Sequence, residues 1–275
     1  MSQLVSHLSR SLMLLAAGVA LCCGVYPFLV WCVGQIVFPF QANGSLLRSD
    51  GRVVGSRLIA QPFTGEGYFW PRPSAASYDA TASGASNLAA SNYLLRDRVA
   101  RTLGPIVTFR SGPEAGILVG PEVERWFNED RYQGRPGIVA QWAELHPGLA
   151  RSLPSPLRSE DIQTVFFDMW RQDHPEADLE PVPGDFVMAS DSGLDPDITL
   201  ANARYQLPRV ASKWAADSGR DVETVRAEVE GMLREAAFAP FDGLAGERLV
   251  NVLEINLALR KHYVSVERTV HVEAH

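Results

Sequence analysis

The amino-acid sequence predicts a single N-terminal transmembrane helix followed by an α+β domain. Residues 12–40 form an apolar stretch in which Gln35 is the only strongly polar side chain. This length exceeds the roughly 20 residues that cross a bilayer. The rest of the chain contains no second stretch of this kind and combines short strand patterns with several amphipathic helix patterns. We therefore expect a single-pass membrane protein.

A cleaved signal peptide is the alternative interpretation of the apolar stretch. Its core would span only about 7 to 15 residues, whereas this stretch continues through Trp31 to Phe38. Cys22 and Cys23 could suggest a lipid-modified cysteine, but Leu21 stands where a small residue would be expected. The sequence therefore favours a retained anchor.

Charges near the span do not choose its orientation. Lys and Arg favour the cytoplasmic flank, but Arg10 lies on one side and Arg48, Arg52 and Arg57 lie on the other. The topology is therefore left open by charge alone.

Composition excludes several classes of function. A formal net charge of -7 argues against a nucleic-acid partner, because phosphate binding needs a basic surface. All three cysteines lie within the span. The remainder is therefore predicted to hold neither a disulfide nor a thiolate metal site.

Small residues recur in the span at a spacing that places them on one helix face. Ala16, Ala20 and Gly24 are four residues apart, and small side chains let a partner helix approach closely. The alternative is that Ala and Gly are simply common in membrane helices. Pro27 predicts a kink, and Pro39 predicts the end of the helix.

The segment after the span is rich in turn-forming residues. Asn43-Gly44 predicts a tight turn, and Val53-Val54 and Leu58-Ile59 predict short strands. Residues 68–92 show almost no periodicity. Their aromatic residues favour a defined surface loop over a flexible linker, since disordered linkers are depleted in aromatics.

Amphipathic helix patterns dominate the middle of the chain. Three of them begin near Pro121, Ile138 and Ser159, and three of the six tryptophans lie in this segment. Such faces form either a docking surface or, more commonly, the domain's own core.

The C-terminal part mixes strands and helices. Residues 186–189 predict a strand, Thr199 and Asp221 predict helix N-caps, and residues 250–259 predict a strand that passes into a helix. The predicted division is an N-terminus at 1–11, a transmembrane helix at 12–40, a loop-rich part at 41–107, a helical segment at 108–181, a C-terminal α/β part at 182–262 and a tail at 263–275.

Sequence motifs for catalysis and for metal binding are absent. There is no glycine-rich phosphate loop and no His-Glu-x-x-His zinc helix. The pairs Glu144 with His146 and Asp173 with His174 are adjacent only in sequence, which is weak support for a metal site. We expect no catalytic residue and no metal ligand in this chain.

Short blocks distributed along the chain resemble one known family. The blocks are Gly24-Val25-Tyr26-Pro27, Gln41-Ala42-Asn43-Gly44-Ser45-Leu46, Leu58-Ile59-Ala60-Gln61, Gly67-Tyr68-Phe69, Arg72-Pro73-Ser74-Ala75, Ser86-Asn87-Leu88-Ala89, Ser192-Gly193-Leu194-Asp195, Pro208-Arg209-Val210-Ala211 and Val250-Asn251-Val252-Leu253-Glu254-Ile255-Asn256-Leu257-Ala258-Leu259. In this order they resemble the C subunit of the Kdp-type potassium-transporting P-type ATPase, a bacterial uptake complex. Usual members are shorter and lack most of residues 108–181. The chain thus resembles a long form with a central helical insertion.

The resemblance implies a role without catalysis in this chain. Other subunits would supply the potassium pore and the ATP-hydrolysing pump. This subunit would stabilise the assembly and act as a catalytic chaperone that raises the pump's ATP affinity. ATP is implied as a ligand by the resemblance alone. The implied location is the inner membrane, with a cytoplasmic N-terminus and an extracytoplasmic α+β domain, so coupling to ATP would have to cross the membrane.

Two sets of partner-binding residues follow as hypotheses. The helix face of Ala16, Ala20 and Gly24 would pack on partner helices. The loop-rich part would cover the outer mouth of the pore, with aromatic and arginine side chains as anchors. Its candidate residues are Gln41, Asn43, Gly44, Tyr68, Phe69, Arg72, Ser86 and Asn87. The alternative is that these residues only hold the domain's own loop.

A membrane-anchored extracytoplasmic hydrolase or ligand-binding protein is the competing interpretation. It predicts activity or ligand binding for the isolated domain. The subunit interpretation predicts neither, and predicts instead neighbouring genes for a pore and a pump.

Overall fold

The computed structural model describes residues 2–129, 136–243 and 246–273. The chain divides into two compact units, Met1–Ile59 and Ala60–His275. The first contains the apolar helix and a hairpin, and the second contains the α+β domain.

A long apolar helix opens the chain. It consists of α1 (Ser2–Val19), a π-helical stretch (Ala20–Val25) and α2 (Tyr26–Val37). Within the described residues one helix is long and apolar enough to cross a membrane, Gln3–Val37 with 35 residues. At 1.5 Å per residue it is about 52 Å long, against roughly 30 Å of hydrocarbon.

The helix starts earlier along the chain than the predicted transmembrane span of 12–40. The helix begins at Ser2 because the residues before 12 include neither glycine nor proline to interrupt it. It ends at Val37, before Pro39, as predicted. Pro27 does not end the helix. The π-helical stretch ends two residues before it, at Val25, and such local adjustments provide partners for backbone groups that a proline leaves free.

A short helix and a hairpin follow the long helix. These are α3 (Pro39–Ala42), β1 (Leu46–Ser49) and β2 (Arg52–Ser56), and β1 pairs antiparallel with β2. The predicted turn at Asn43-Gly44 and strand at Val53-Val54 are confirmed.

The predicted strand at Leu58-Ile59 is wrong. These residues form a turn, because the Ser56 hydroxyl donates to the Gly44 carbonyl at 2.7 Å and accepts from the Leu58 N–H at 3.2 Å. Residues 57–92 contain neither helix nor strand, and this confirms the predicted irregular loop.

Helices dominate the middle of the second unit. They are α4 (Tyr93–Leu103), α5 (Gly120–Glu129), α6 (Pro136–Leu145), a 3-10 turn (Ala150–Ser152), α7 (Ser159–Val165) and α8 (Phe167–Asp173). The helix predicted from Ser159 is two helices, because the backbone of Phe166 (φ -99°, ψ 2°) leaves the helical region. Phe166 is fully buried beside Trp142 and Phe127.

The ends of the predicted insertion lie side by side. The Glu180 N–H donates to the Thr108 carbonyl at 2.9 Å, and the Arg110 N–H donates to the Asp178 carbonyl at 2.8 Å. The hydrophobic cluster of the helical segment nevertheless extends outside 108–181 and includes Ala100.

Two of these helices end in the same way. Helix α6 ends in Trp142-Ala-Glu-Leu-His146-Pro and α8 ends in Trp170-Arg-Gln-Asp-His174-Pro. In both, the histidine ring stacks on the tryptophan, with centroids 4.6 and 4.9 Å apart. The histidine Nδ1 lies 2.9 Å from the carbonyl oxygen of that tryptophan. The imidazole therefore caps the last turn.

The C-terminal part contains a second core. Its elements are α9 (Gly184–Val187), β3 (Asp197–Thr199), α10 (Leu200–Ser218), α11 (Val222–Ala236), a 3-10 turn (Pro240–Gly243), β4 (Leu249–Asn251) and α12 (Val252–Glu273). Strands β3 and β4 pair antiparallel. Buried apolar residues of α10, α11 and α12 form a separate cluster around Leu207, Val229 and Leu259.

Predictions for the helices of this part are confirmed at their N-termini. The Thr199 hydroxyl accepts from the Asn202 N–H, and the Asp221 carboxylate accepts from the Thr224 N–H. The expected passage from strand to helix is also found, with β4 leading directly into α12. Helix α12 continues to Glu273, so it includes described residues of the segment that was predicted as a tail.

The strand predicted at 186–189 is wrong. Gly184–Val187 is a helical turn whose Met188 N–H donates to the Gly184 carbonyl. Its Asp185 carboxylate accepts from the N–H and the hydroxyl of Thr199, which ties this turn to the start of α10.

Candidate functional site

Two side-chain amides hold the backbone of the 60–92 loop against helices α10 and α12. The Asn256 amide accepts from the Phe69 N–H at 2.8 Å and donates to the Phe69 carbonyl at 2.9 Å. The Gln206 amide does the same for Trp70, at 2.7 and 3.0 Å. Each amide pairs with both backbone polar groups of one residue, as a neighbouring strand would.

Arg209 of α10 fixes the preceding residues of the loop. Its guanidinium donates to the carbonyls of Glu66 at 2.6 Å and Tyr68 at 3.0 Å. It lies 3.8 Å from the centroid of a Trp70 ring, which is a cation–π contact. Burial lowers the pKa of Arg209 to about 10, so the side chain keeps its charge at neutral pH.

Aromatic packing against α10 also holds the same segment. Trp214 donates from its indole nitrogen to the Gly67 carbonyl at 2.7 Å and meets the Tyr68 ring edge-on at 6.3 Å. Phe69 has no exposed surface. The segment from Gly65 to Trp70 is therefore a fixed part of the domain.

The second half of the loop encloses the turn at residues 190–195. The Ser74 hydroxyl donates to the Gly193 carbonyl, and the Gly84 N–H donates to the Ser192 carbonyl. Arg72 forms an ion pair with Asp195 at 3.2 Å. The loop and the turn thus form one surface on the domain.

Backbone strain is concentrated within this loop. Ser77 and Tyr78 both have left-handed conformations, with φ of 53° and 58°. Such conformations cost about 1–2 kcal/mol for each L-residue. The Tyr78 hydroxyl donates to the Arg72 carbonyl at 2.9 Å, and burial raises the pKa of Tyr78. Surrounding contacts therefore enforce a turn that the chain would not adopt alone.

The predicted loop residues divide into buried and exposed groups. Phe69 is buried, Tyr68 and Arg72 are half-buried and engaged within the domain, and Ser86 is half-buried. Asn87 is exposed. The contacts of Tyr68, Phe69 and Arg72 correspond to the alternative prediction, in which these residues hold the domain's own loop.

Three further predicted residues lie in the first unit. Gln41, Asn43 and Gly44 are all exposed. The Asn43 amide donates to the Gln35 side chain at 3.1 Å and to the Pro39 carbonyl at 2.6 Å. Gly44 has φ of 83°, a conformation that favours glycine.

The small residues of the long helix are open to a partner. Ala16, Ala20 and Gly24 are exposed, and a Cβ added to Gly24 would meet no atom within 4 Å. Ala20 and Gly24 lie in the π-helical stretch. Its i→i+5 hydrogen bonds alter the spacing at which residues share a face, and such stretches frequently occur at functional sites.

A metal centre finds no support in the described part of the chain. There, no three His, Cys, Asp or Glu residues are grouped so that they could hold an ion. A surface cavity of about 450 Å³ lies between residues 181–185 and the start of α10. Three hydrogen bonds already occupy its Asp185 carboxylate.

Sequence reasoning missed the residues that fix the loop. Gln206, Asn256 and Trp214 are buried, and none of them was predicted from the sequence to hold the loop. The one available signal was a polar amide at an otherwise apolar helix position, since buried amides need specific partners.

Comparison with known proteins assigns the family. A family model described as K+-transporting ATPase, c chain, matches residues 8–115 and 114–261. The chain belongs to the KdpC family. The resemblance predicted from the short sequence blocks is therefore confirmed.

Several KdpC relatives match over nearly their whole length. The potassium-transporting ATPase KdpC subunit of Rhodospirillum rubrum is 35% identical over 257 residues, with 92% of this chain and 95% of the relative covered. Those of Parvibaculum lavamentivorans and Methylibium petroleiphilum are 32% and 35% identical, covering 90% and 92% of this chain and 93% and 96% of the relatives. This KdpC chain is a component of a potassium transport complex, and its apolar helix indicates a membrane location.

Proposed function

We propose that this chain is a non-catalytic subunit that stabilises a high-affinity, ATP-driven potassium import complex and raises the ATP affinity of its pump subunit. Its partners are the potassium-pore subunit and the ATP-hydrolysing pump subunit. The long helix crosses the inner membrane once, with the N-terminus in the cytoplasm and the α+β domain outside.

The exposed apolar helix carries this proposal. None of the most apolar part of Gln3–Val37 is buried within the chain. Exposed apolar surface of this extent requires lipid or partner helices. The exposed small residues Ala16, Ala20 and Gly24 supply a face on which partner helices can pack closely.

The loop on the α+β domain supports a positioning role. Gln206, Asn256 and Arg209 fix its backbone, so its exposed residues are presented in one conformation. A rigid surface binds a partner without the cost of ordering a flexible segment. On this proposal, Asn87 on the domain and Gln41, Asn43 and Gly44 in the first unit are the directly exposed contacts. Tyr68, Phe69 and Arg72 fix the loop that presents Asn87.

Coupling to ATP is indirect in this proposal. The pump binds ATP in the cytoplasm, whereas the domain lies on the other side of the membrane. The long helix is then the element through which the chain biases the pump, by stabilising its ATP-binding state.

The test is to replace small residues on the proposed helix face. Ala16→Leu with Ala20→Leu is compared with Gly18→Leu, which lies roughly opposite on the same helix and also has open space around it. The first variant should reduce the amount of chain that copurifies with the pore and pump subunits and should raise the ATP concentration needed for potassium-stimulated hydrolysis. Gly18→Leu should change neither.

Omission of the chain provides the second readout. A complex of pore and pump alone should need more ATP for half-maximal hydrolysis. Unchanged ATP dependence would reject the chaperone role, and unchanged copurification of the double variant would reject the helix face.

A further inference from the structure

We propose that the β1–β2 hairpin lies in the headgroup region of the bilayer that the long helix spans, with Arg48 bound to anionic lipid phosphates. This inference rests on the proposed membrane insertion of that helix. It adds a lipid-binding surface outside the helix itself.

The register of the hairpin defines the lipid-facing side. Arg48 lies opposite Val53, and Leu46 is two residues before Arg48, so these three side chains share one face. Leu46 is 43% and Val53 is 48% exposed. One basic and two apolar side chains on the same exposed face suit the boundary between lipid headgroups and acyl chains.

The opposite face has a different character. Ser49 pairs with Arg52 there. Leu47 shares this face and is half-buried. The face therefore carries an arginine without an exposed apolar side chain and serves as an internal comparison.

The hairpin needs a surface that covers its apolar side chains. An isolated two-stranded hairpin is marginally stable in water. Within Met1–Ile59, Ser45 is the sole buried residue among those whose burial the structure describes. The first unit therefore supplies no core beneath β1 and β2, and a medium outside that unit must cover their apolar side chains.

Hydrogen bonds fix the hairpin close to the end of the span. The Ser45 N–H donates to the Phe40 carbonyl at 2.9 Å, and the Arg57 N–H donates to the Ser45 carbonyl at 2.9 Å. Phe38 and Phe40 are 56% and 42% exposed at this end, as expected of residues at a membrane interface. The tight connection keeps the hairpin within the interface.

Charge complementarity favours lipid phosphate as the occupant. Residues 1–59 include Arg10, Arg48, Arg52 and Arg57 but a single acidic residue, Asp50, and all other acidic residues of the chain follow. Among the described residues, no carboxylate pairs with Arg48; its hydrogen bond goes to the Gly51 carbonyl at 3.4 Å. Arginine binds phosphate through several donors at once.

The experiment places spin labels on the two faces of the hairpin in the full-length chain. Cys22, Cys23 and Cys32 are replaced by Ala, and Val53→Cys or Ser49→Cys provides the labelling position. The protein is reconstituted without partner subunits into nanodiscs of phosphatidylcholine with or without phosphatidylglycerol. Collision with oxygen, which enters lipid, is compared with collision with a water-soluble nickel chelate.

The label at position 53 should favour oxygen, and the label at position 49 should favour the chelate. Arg48→Gln should weaken the effect of phosphatidylglycerol on position 53 by roughly fivefold, the ratio expected for one arginine at an anionic surface. Arg52→Gln removes the same charge from the other face and should leave position 53 unchanged.

Two outcomes would overturn the proposal. Equal exposure of both labels to the chelate would show that the hairpin stands in water. Protection of position 53 only when pore and pump subunits are added would assign the face to a protein partner. Alkaline extraction of the same samples reports whether the long helix is inserted, so failure of the membrane anchor is recognised separately.

Discussion

Gly193 is a residue at which the loop and the 190–195 turn lie in close contact. It has φ of 69°, and a Cβ at this position would lie 2.9 Å from the Ala76 Cβ and 3.0 Å from the Gly84 carbonyl oxygen. Both the backbone conformation and the surrounding space therefore require glycine. This close approach is one of the contacts that hold the loop against the turn, beside the hydrogen bonds of Ser74 and Gly84 and the ion pair of Arg72.

Replacement of Gly193 by Ala should destabilise the domain more than replacement of a comparable glycine. Gly219 has φ of 63° but no atom within 4 Å of an added Cβ, so Gly219→Ala isolates the left-handed strain of about 1–2 kcal/mol. Gly193→Ala should add about 1–3 kcal/mol from overpacking. Urea unfolding in detergent, followed by tryptophan fluorescence, measures the difference. Equal losses would mean that Ala76 and Gly84 shift without cost.

Helices α10 and α12 act as a template for the irregular loop at residues 60–92. Their buried Gln206 and Asn256 provide the hydrogen bonds that a strand would otherwise provide to Phe69 and Trp70. The backbone N–H and carbonyl groups of an extended loop can therefore be hydrogen-bonded as completely as those of a sheet strand. The loop can at the same time contain turns that are incompatible with a sheet.

Asn256→Ala should release the loop while the helices remain folded. It leaves the buried N–H and carbonyl of Phe69 without partners, at about 1–3 kcal/mol each. Hydrogen exchange of amides 65–72 should accelerate more than that of α11. Asn256→Asp keeps the acceptor for the Phe69 N–H and should give a smaller effect on that amide. Asn128→Ala, at an exposed amide on α5, is the neutral control. Equal acceleration of hydrogen exchange by all three variants would show that Asn256 does not hold the loop.

The described residues of the α+β unit form two hydrophobic clusters. One surrounds Trp142, Phe166 and Trp170 in the helical segment, and the other surrounds Leu207, Val229 and Leu259 in the C-terminal part. Separate cores allow local opening of one segment while the other remains closed.

Reciprocal tryptophan substitutions should reveal this independence. Trp170 is 1% and Trp214 is 9% exposed, each in a different cluster, and loss of such a side chain costs about 3–5 kcal/mol. Trp170→Ala should accelerate hydrogen exchange in α5, α7 and α8 and spare α10 and α11, and Trp214→Ala should do the reverse. If either variant accelerates exchange equally everywhere, the two clusters unfold as one cooperative unit.

Local chemistry was enough to predict many of the helices. The caps at Thr199 and Asp221 follow from short-range hydrogen bonding, which depends only on neighbouring residues. The apolar helix and its end before Pro39 follow likewise from composition and from the missing proline N–H. Predictions failed where a side-chain or long-range contact determined the backbone conformation, as at residues 186–189 and 58–59.

The sequence by itself determined the long apolar helix, the family and the irregular character of residues 68–92, because length, composition and ordered short blocks are properties of neighbours along the chain. Only the tertiary structure decided that Phe69 is buried, that Arg72 pairs with Asp195, and that Gln206 and Asn256 hold the loop. Those contacts join residues more than 100 positions apart, and their geometry exists only after the helices have packed.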